Sequence, residues 1–317
     1  MNEDFKVAVP AEGRPWDVII VGSGPAAFSA AIYTTRGDAS TLILGGENWG
    51  GQLMLTTKVD NYAGFPEGVD GPELMDRMRR QAERFGTVFE SSYVTKADFS
   101  GKPFKLYTGE KEYLAKSVLI ATGAETKWLT VPGEKELIGR GVSSCAPCDA
   151  PFFKNRKVAV IGGGDSAMEE AMVLSKYASE VTVIHRRDTF KASEAMQAKV
   201  LNNPKIKIIW NTEVQEIKGT GKVEGLILKN SQTGQTSDFQ VDGVFVAIGH
   251  RPESHAFEGQ IELDEKGFVK ILGGHGKTSV PGVFVAGDVM DPFYKQAATS
   301  VGSGCAAALD ILSYLVE

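Results

Sequence analysis

Cys145-Ala146-Pro147-Cys148-Asp149 sets two thiols at Cys-x-x-Cys spacing, with a carboxyl group directly after the second. Three chemistries use such a pair. Zinc wants four ligands, and beyond the pair only Cys305 and four scattered histidines remain, none at finger or ribbon spacing. Two buried structural thiols are a second reading, since cysteine is often simply core. A reversible dithiol/disulfide is the third and fits best, because the spacing closes a small ring and tunes the pKa of one thiol. Asp149 suits it: an adjacent carboxyl can deliver or remove a proton as a thiolate leaves or attacks. Asp149 would equally serve as a helix cap. Cys305, in an apolar run after Gly304, reads as helix core.

Two glycine clusters carry a second chemistry. Val18-Ile19-Ile20-Val21 runs into Gly22-Ser23-Gly24-Pro25-Ala26-Ala27, and Val158-Ala159-Val160-Ile161 runs into Gly162-Gly163-Gly164-Asp165-Ser166-Ala167. Each is Gly-x-Gly-x-x-Ala between an apolar strand and a helical pattern, the context that gives this motif meaning. Gly22 and Gly162 permit the tight turn, and Gly24 and Gly164 let backbone reach a pyrophosphate. Ala27 and Ala167 allow close helix–strand contact. The helix N-terminus supplies oriented N–H donors and positive dipole to the anion.

The residues after the second strand of each unit separate the two sites. NAD sites usually place Asp or Glu there for the ribose hydroxyls. The second unit instead has His185-Arg186-Arg187 with Lys191 close behind. A carboxylate would repel a 2′-phosphate, whereas two guanidiniums grip it, so the pattern favours NADP. The competing reading is a solvated basic patch at a helix start. The first unit has Gly45-Gly46-Glu47 at this point and no basic cluster, which indicates a different nucleotide.

The elements that must position these residues read as βαβ, twice. Helical patterns cover Phe28 to Tyr33 and Met168 to Tyr177, and second strands cover Thr41 to Leu44 and Val181 to Ile184. Later apolar strands end in small-residue turns at Val118–Gly123, Val244–Gly249 and Val283–Asp288. The last has no fingerprint of its own and is expected to return to the first domain. The expected fold is α/β, with two Rossmann-like dinucleotide-binding domains of the three-layer type, the second inserted in the first. The boundaries are 1–125 plus 254–317 for the discontinuous domain and 126–253 for the inserted one, with a double-stranded hinge between them.

Composition bounds the rest. A chain of 317 residues suits about two domains. Its 36 glycines are well above the usual ~7%, without a collagen period. Net charge −6 argues against nucleic acid as a partner, since phosphate backbones are bound by excess Lys and Arg. Three cysteines make no secreted disulfide scaffold. The first residues lack a basic targeting region. The uncharged stretch Val18 to Thr35 has the length of a marginal membrane span, but its glycine interruption suits a strand-to-helix turn better. The expectation is a cytoplasmic chain with no membrane attachment and no metal.

Taken together, these residues resemble the low-molecular-weight thioredoxin reductases, the bacterial, plant and fungal flavoprotein type. The resemblance covers nearly the whole chain. It includes Gly50-Gly51-Gln52-Leu53, Asn61, Ala121-Thr122-Gly123, the Cys145–Asp149 motif, His185-Arg186-Arg187-Asp188, Gly287-Asp288 and Tyr294-Lys295-Gln296-Ala297. It implies FAD in the discontinuous domain, NADPH in the inserted one, thioredoxin as disulfide substrate and a homodimer. By matching positions, Gly22, Gly24, Pro25, Ala26, Gly51, Gln52, Leu53, Asn61, Ala121, Thr122, Gly123, Gly287, Asp288, Lys295, Gln296 and Ala297 would serve the flavin nucleotide. Gly162, Gly164, Asp165, Ser166, Ala167, His185, Arg186, Arg187 and Lys191 would serve NADPH, and Cys145, Cys148 and Asp149 would be catalytic.

Three positions depart from the family pattern. Lys191 and Lys295 stand where arginine is usual, which keeps the charge but loses the bidentate fork. Ala150 replaces the usual glycine after the cysteine motif, an expected stiffening of that turn. Other readings remain in view. A flavin-dependent dithiol oxidase or a ferredoxin- or flavin-fed reductase has little use for Arg186 and Arg187. A nucleotide-binding redox sensor would show slow or absent NADPH turnover.

Overall fold

Strands apolar at consecutive positions must be buried on both faces, and the sheets show this residue by residue. In the computed structural model, which describes residues 9–56 and 58–317, the chain divides into two units. One comprises residues up to Glu125 with Arg251–Glu317, and the other comprises Thr126–His250. The two crossings pair with each other as a short ribbon of Ala124–Thr126 and His250–Pro252.

The discontinuous unit is built on a seven-stranded sheet. Val88–Glu90, Thr41–Leu44, Trp16–Val21 and Lys111–Ile120 run parallel in that order. The ten-residue strand Lys111–Ile120 is shared on its far side. Its first half pairs antiparallel with Phe104–Thr108, and its last residues pair parallel with Val283–Val285. The C-terminal segment therefore completes the sheet that the N-terminal segment begins. Alternate residues of Trp16–Val21 face different cores: Ile19 and Val21 pack with Leu106 and Phe257, while Val18 and Ile20 pack with Phe28 and Ala30.

The stretch Val18 to Thr35 is accordingly split into strand to Val21, the turn Gly22-Ser23-Gly24, and the helix from Pro25. The C-terminal helix Ala297–Val316 is long and apolar enough by composition to cross a membrane. Its Ala307, Ala308 and Ile311 are fully buried in this unit's core, which accounts for part of that apolarity. It crosses Pro25–Arg36 on small residues, where a Cβ added at Gly304 would stand 2.2 Å from the Ala26 carbonyl oxygen. Cys305, expected as core, is only half-buried, a free thiol beside the Tyr33 hydroxyl at the edge of this crossing.

The inserted unit repeats the plan with a five-stranded parallel sheet. Its order is Val142–Ser143, Gly243–Val246, Lys157–Ile161, Glu180–Ile184, Ile206–Ile209. Val158 and Val160 face one core with Met168 and Phe245, while Ala159 and Ile161 face another with Leu226 and Val244. The second core is closed by an antiparallel sheet of Thr212–Lys218, Gly225–Asn230 and Thr236–Phe239. The fingerprint helix spans Asp165–Leu174, ending before Tyr177. There the Ser175 hydroxyl donates to the Met172 carbonyl and the chain turns toward its next strand.

Gly304→Ala should cost about 1–3 kcal/mol, the usual penalty for forcing an atom into a filled contact. A lowered thermal midpoint is expected, and an unchanged one would contradict the close crossing.

Candidate active site

The cysteine pair hangs directly from the sheet. Ser143 ends the edge strand Val142–Ser143, in register with Phe245, and Cys145 lies two residues further on in extended conformation. One helical turn, Ala146–Asp149, brings Cys148 back beside it, with the N–H groups of Cys148 and Asp149 both donating to the Cys145 carbonyl. The two sulfurs are joined as a disulfide with a Cα–Cα distance of 5.3 Å. The thiols are therefore accounted for by each other. Among the described residues, no group of three or more His, Cys, Asp or Glu is arranged to hold a metal ion.

Ser143 is a site residue that the motif did not reveal. Its hydroxyl oxygen accepts the Cys145 N–H at 3.1 Å, and the same side chain hydrogen-bonds the Asp149 carboxyl. Burial is the larger influence on Asp149 and raises its pKa, with the Ser143 bond opposing in part. The carboxyl thus keeps its proton to higher pH than an ordinary aspartate, as suits an acid beside a dithiol. Ala150 needs no glycine: its φ of −53° is ordinary right-handed helix, so the expected stiffening at this turn has no conformational basis.

In the discontinuous unit, Gly22 and Gly24 do different work. Gly22 has φ 108°, and a Cβ there would stand 2.2 Å from the Ala121 carbonyl oxygen. At Gly24 a Cβ would meet nothing within 4 Å, so open space lies before the helix N-terminus. Pro25 begins the helix, and its N-cap Gly24 has no side chain to cap it. Ala26 lies against Gly287, where an added Cβ would come 3.0 Å from the Ala26 Cβ. Gly51, at φ 68°, faces Gly24, its added Cβ 3.8 Å from the Gly24 Cα. Ser23 fixes this arrangement by donating to the Gly45 carbonyl at 2.6 Å and accepting the Gly50 N–H at 3.1 Å.

The remaining residues expected at this site fall into two groups. The Asn61 amide donates to Gln296 Oε1 at 3.2 Å, and Gln296 caps the helix that Ala297 begins. Asp288 accepts from Ser300 Oγ at 2.9 Å, and burial raises its carboxyl more than that bond lowers it. Gln52 is exposed, and Gly123, at φ 77°, has open space at its Cβ position. Three others are engaged with protein. Leu53 packs with Val59, Val69 and Leu74, the Thr122 hydroxyl donates to the Glu253 carbonyl, and Lys295 Nζ donates to the Pro292 carbonyl. An open glycine cradle at a helix whose N-cap is glycine, with a protected carboxyl nearby, fits a dinucleotide.

The inserted unit has the same cradle. A Cβ at Gly162 would stand 2.4 Å from the Ala247 carbonyl oxygen, while one at Gly164 would meet nothing within 4 Å. Asp165 and exposed Ser166 open the helix, its N-cap Gly164 has no side chain to cap it, and Ala167 is fully buried beneath Gly162. Arg186, Arg187 and Lys191 are exposed and make no ion pair among the described residues. His185 is different. Its ring is buried against Phe190 and Trp210, with Nε2 paired to the Thr189 carbonyl at 3.0 Å. Burial, aided by Arg187 and Arg186, lowers its pKa and keeps it neutral.

Two fingerprint units, one bearing a disulfide with an adjacent acid, define a nucleotide-dependent disulfide oxidoreductase. The family model for pyridine nucleotide-disulphide oxidoreductases matches residues 16–304, and the chain belongs to that family. It is 52% identical over 314 residues to thioredoxin reductase 1, mitochondrial, of Arabidopsis thaliana, covering 94% of this chain and 83% of that protein. It is 49% identical over 302 residues to thioredoxin reductase of Rickettsia felis, covering 94% of this chain and 97% of that one. The solved thioredoxin reductase of Giardia duodenalis superposes with a TM-score of 0.91 at 39% identity, covering 96% of this chain and all of that one.

Because folding raises the Asp149 pKa, the folded chain holds this proton where the unfolded chain has released it. This group's effect on stability therefore becomes more unfavourable as pH rises from about 3.8 through the raised folded value. Thermal midpoints against pH should show Asp149→Asn gaining on the native chain across that window. Parallel curves would contradict the burial.

Proposed function

We propose that this chain is an NADPH-dependent thioredoxin-disulfide reductase, a flavoprotein that passes two electrons to Cys145–Cys148 and thence to the disulfide of thioredoxin. The observation that carries this reading is the Cys145–Cys148 disulfide beside the half-buried acid Asp149. Family membership and the named relatives support the class of reaction. FAD is assigned to the discontinuous unit, at Gly22, Gly24, Gly51, Asn61, Asp288 and Gln296. NADPH is assigned to the inserted unit, at Gly162, Gly164, Arg186, Arg187 and Lys191. When bound, the flavin supplies the relay between a hydride donor and a dithiol.

The chain's own residues carry the remaining steps. Reduction breaks the Cys145–Cys148 bond and leaves one thiol and one thiolate, the incoming two electrons residing on the sulfurs. Asp149, protonated at higher pH than an ordinary carboxyl, holds the proton that the second sulfur takes up. One thiolate attacks a sulfur of the thioredoxin disulfide, forming a mixed disulfide and releasing a thiolate on thioredoxin. The other cysteine, giving its proton back to the Asp149 carboxylate, attacks that mixed disulfide as a thiolate, restoring Cys145–Cys148 and freeing reduced thioredoxin. Arg186 and Arg187 hold the 2′-phosphate as paired guanidiniums, and Lys191 adds a point charge.

The order of motifs supports alternation. The inserted unit carries both the disulfide and the NADPH fingerprint, and each needs the same flavin. Rotation on the two crossings at Glu125/Thr126 and His250/Arg251 presents one at a time. A homodimer in the cytoplasm accompanies this reading.

NADPH should bleach the flavin of Cys145→Ser and Cys148→Ser, yet neither variant should reduce thioredoxin. Full activity in either would refute the dithiol mechanism. Replacing Arg186 and Arg187 with alanine should raise the KM for NADPH at least about 10-fold while leaving NADH use nearly unchanged, since charge-assisted bonds contribute ~1.5–3 kcal/mol each. Equal effects on both nucleotides in stopped-flow reduction would refute the phosphate clamp.

A further inference from the structure

The loop after strand Glu180–Ile184 separates its residues by role. His185, Phe190 and Ala192 are buried, while Arg186, Arg187 and Lys191 are exposed. The buried residues are fastened to the fingerprint itself. A Cβ at Gly163 would lie 2.3 Å from the His185 ring, so the missing side chain is the space in which that ring stands. The Gly163 carbonyl accepts the N–H of Lys191 at 2.7 Å and of Ala192 at 3.2 Å.

Asp165 adds a second fastening. Its Oδ1 accepts both the N–H of Ser193 at 2.9 Å and the Ser193 hydroxyl at 2.8 Å. Two features make this pairing unusual for its position. A carboxylate in the first turn of a helix meant for a pyrophosphate opposes that anion by like charge. Ser193 occupies the N-cap of the helix Glu194–Leu201, where a serine hydroxyl ordinarily caps its own helix, yet no side-chain cap bond is made there. Ser193 thus leaves its own helix uncapped and turns its hydroxyl to Asp165.

The other fingerprint provides the contrast. Ser23 replaces Gly163, and its hydroxyl closes a loop of Gly45 and Gly50 that carries no cation.

We propose that Asp165 and Ser193 form a latch that closes the loop 185–193 onto the fingerprint, so that Arg186, Arg187 and Lys191 are held in place for the 2′-phosphate before NADPH arrives. Both are positioning residues, acting through the three cations. A latched loop does not have to be ordered at the moment of binding, and the saving appears as selectivity for the 2′-phosphorylated nucleotide. The proposal rests on the NADPH reading of this unit.

Calorimetric titration of the flavin-loaded full chain with adenosine 2′,5′-bisphosphate and with 5′-AMP tests it without turnover. The native chain should prefer the bisphosphate. Ser193→Ala and Asp165→Ala should each reduce that preference about 5- to 10-fold, within the range for losing one ordinary hydrogen bond. Asp165→Asn should retain it, because the amide oxygen still accepts. If Asp165 acted only by its charge, Asp165→Ala would tighten both ligands, and that result would overturn the latch. So would a preference that survives both alanine variants, or an Asp165→Asn as unselective as Asp165→Ala. A native chain that binds the two ligands alike would overturn the NADPH reading, and the latch with it.

Discussion

Everything in this chain depends on how closely a strand-to-helix turn can approach the end of the neighbouring strand. At Gly22 and at Gly162 a side chain would drive its Cβ to 2.2 Å and 2.4 Å from the carbonyl oxygens of Ala121 and Ala247. Only glycine lets the chain turn there, and only that turn starts each helix with its first N–H groups open to an anion. Two residues on, Gly24 and Gly164 face empty space, which is what a phosphate approaching the backbone requires. The same constraint, met twice, makes two dinucleotide cradles from one plan.

The units diverge at the residue between those glycines. Ser23 spans two backbone groups and shuts its loop with a neutral hydroxyl, whereas Gly163 yields room to the His185 ring and offers only its carbonyl. His185 is neutral and buried, so the charge in its motif belongs to Arg186 and Arg187. The disulfide obeys a comparable logic on the edge of the same sheet. Ser143, fixed in register, orders both the Cys145 backbone and the Asp149 carboxyl.

Much of this is legible in the sequence because glycine spacing and continuous apolar runs have few other uses. The α/β plan, the strand Thr41–Leu44 and the cysteine motif all come from residue types over short windows. The features that stay hidden depend on distant partners. Ser143, Ser193 and Ser300 look like any surface serine until the fold brings carboxyls to them. Leu53 and Lys295, cofactor contacts by matching position alone, have side chains engaged with protein. The outer strands Thr212–Lys218 and Thr236–Phe239 of the antiparallel sheet carry little signal because they are half-exposed and lack the apolar runs of the parallel ones. The helix Asp165–Leu174 ends at Ser175, whose hydroxyl bonds the Met172 carbonyl, a detail that a periodicity argument does not weigh.

In the proposed reaction, electrons from NADPH reach Cys145–Cys148 through a bound flavin. Anaerobic titration of the flavin-loaded chain with NADPH, with free thiols counted before and after, tests it most directly. Two new thiols per chain are expected in the native protein and no new thiol in Cys145→Ser. A flavin that bleaches fully in the native chain while the thiol count stays fixed would contradict it.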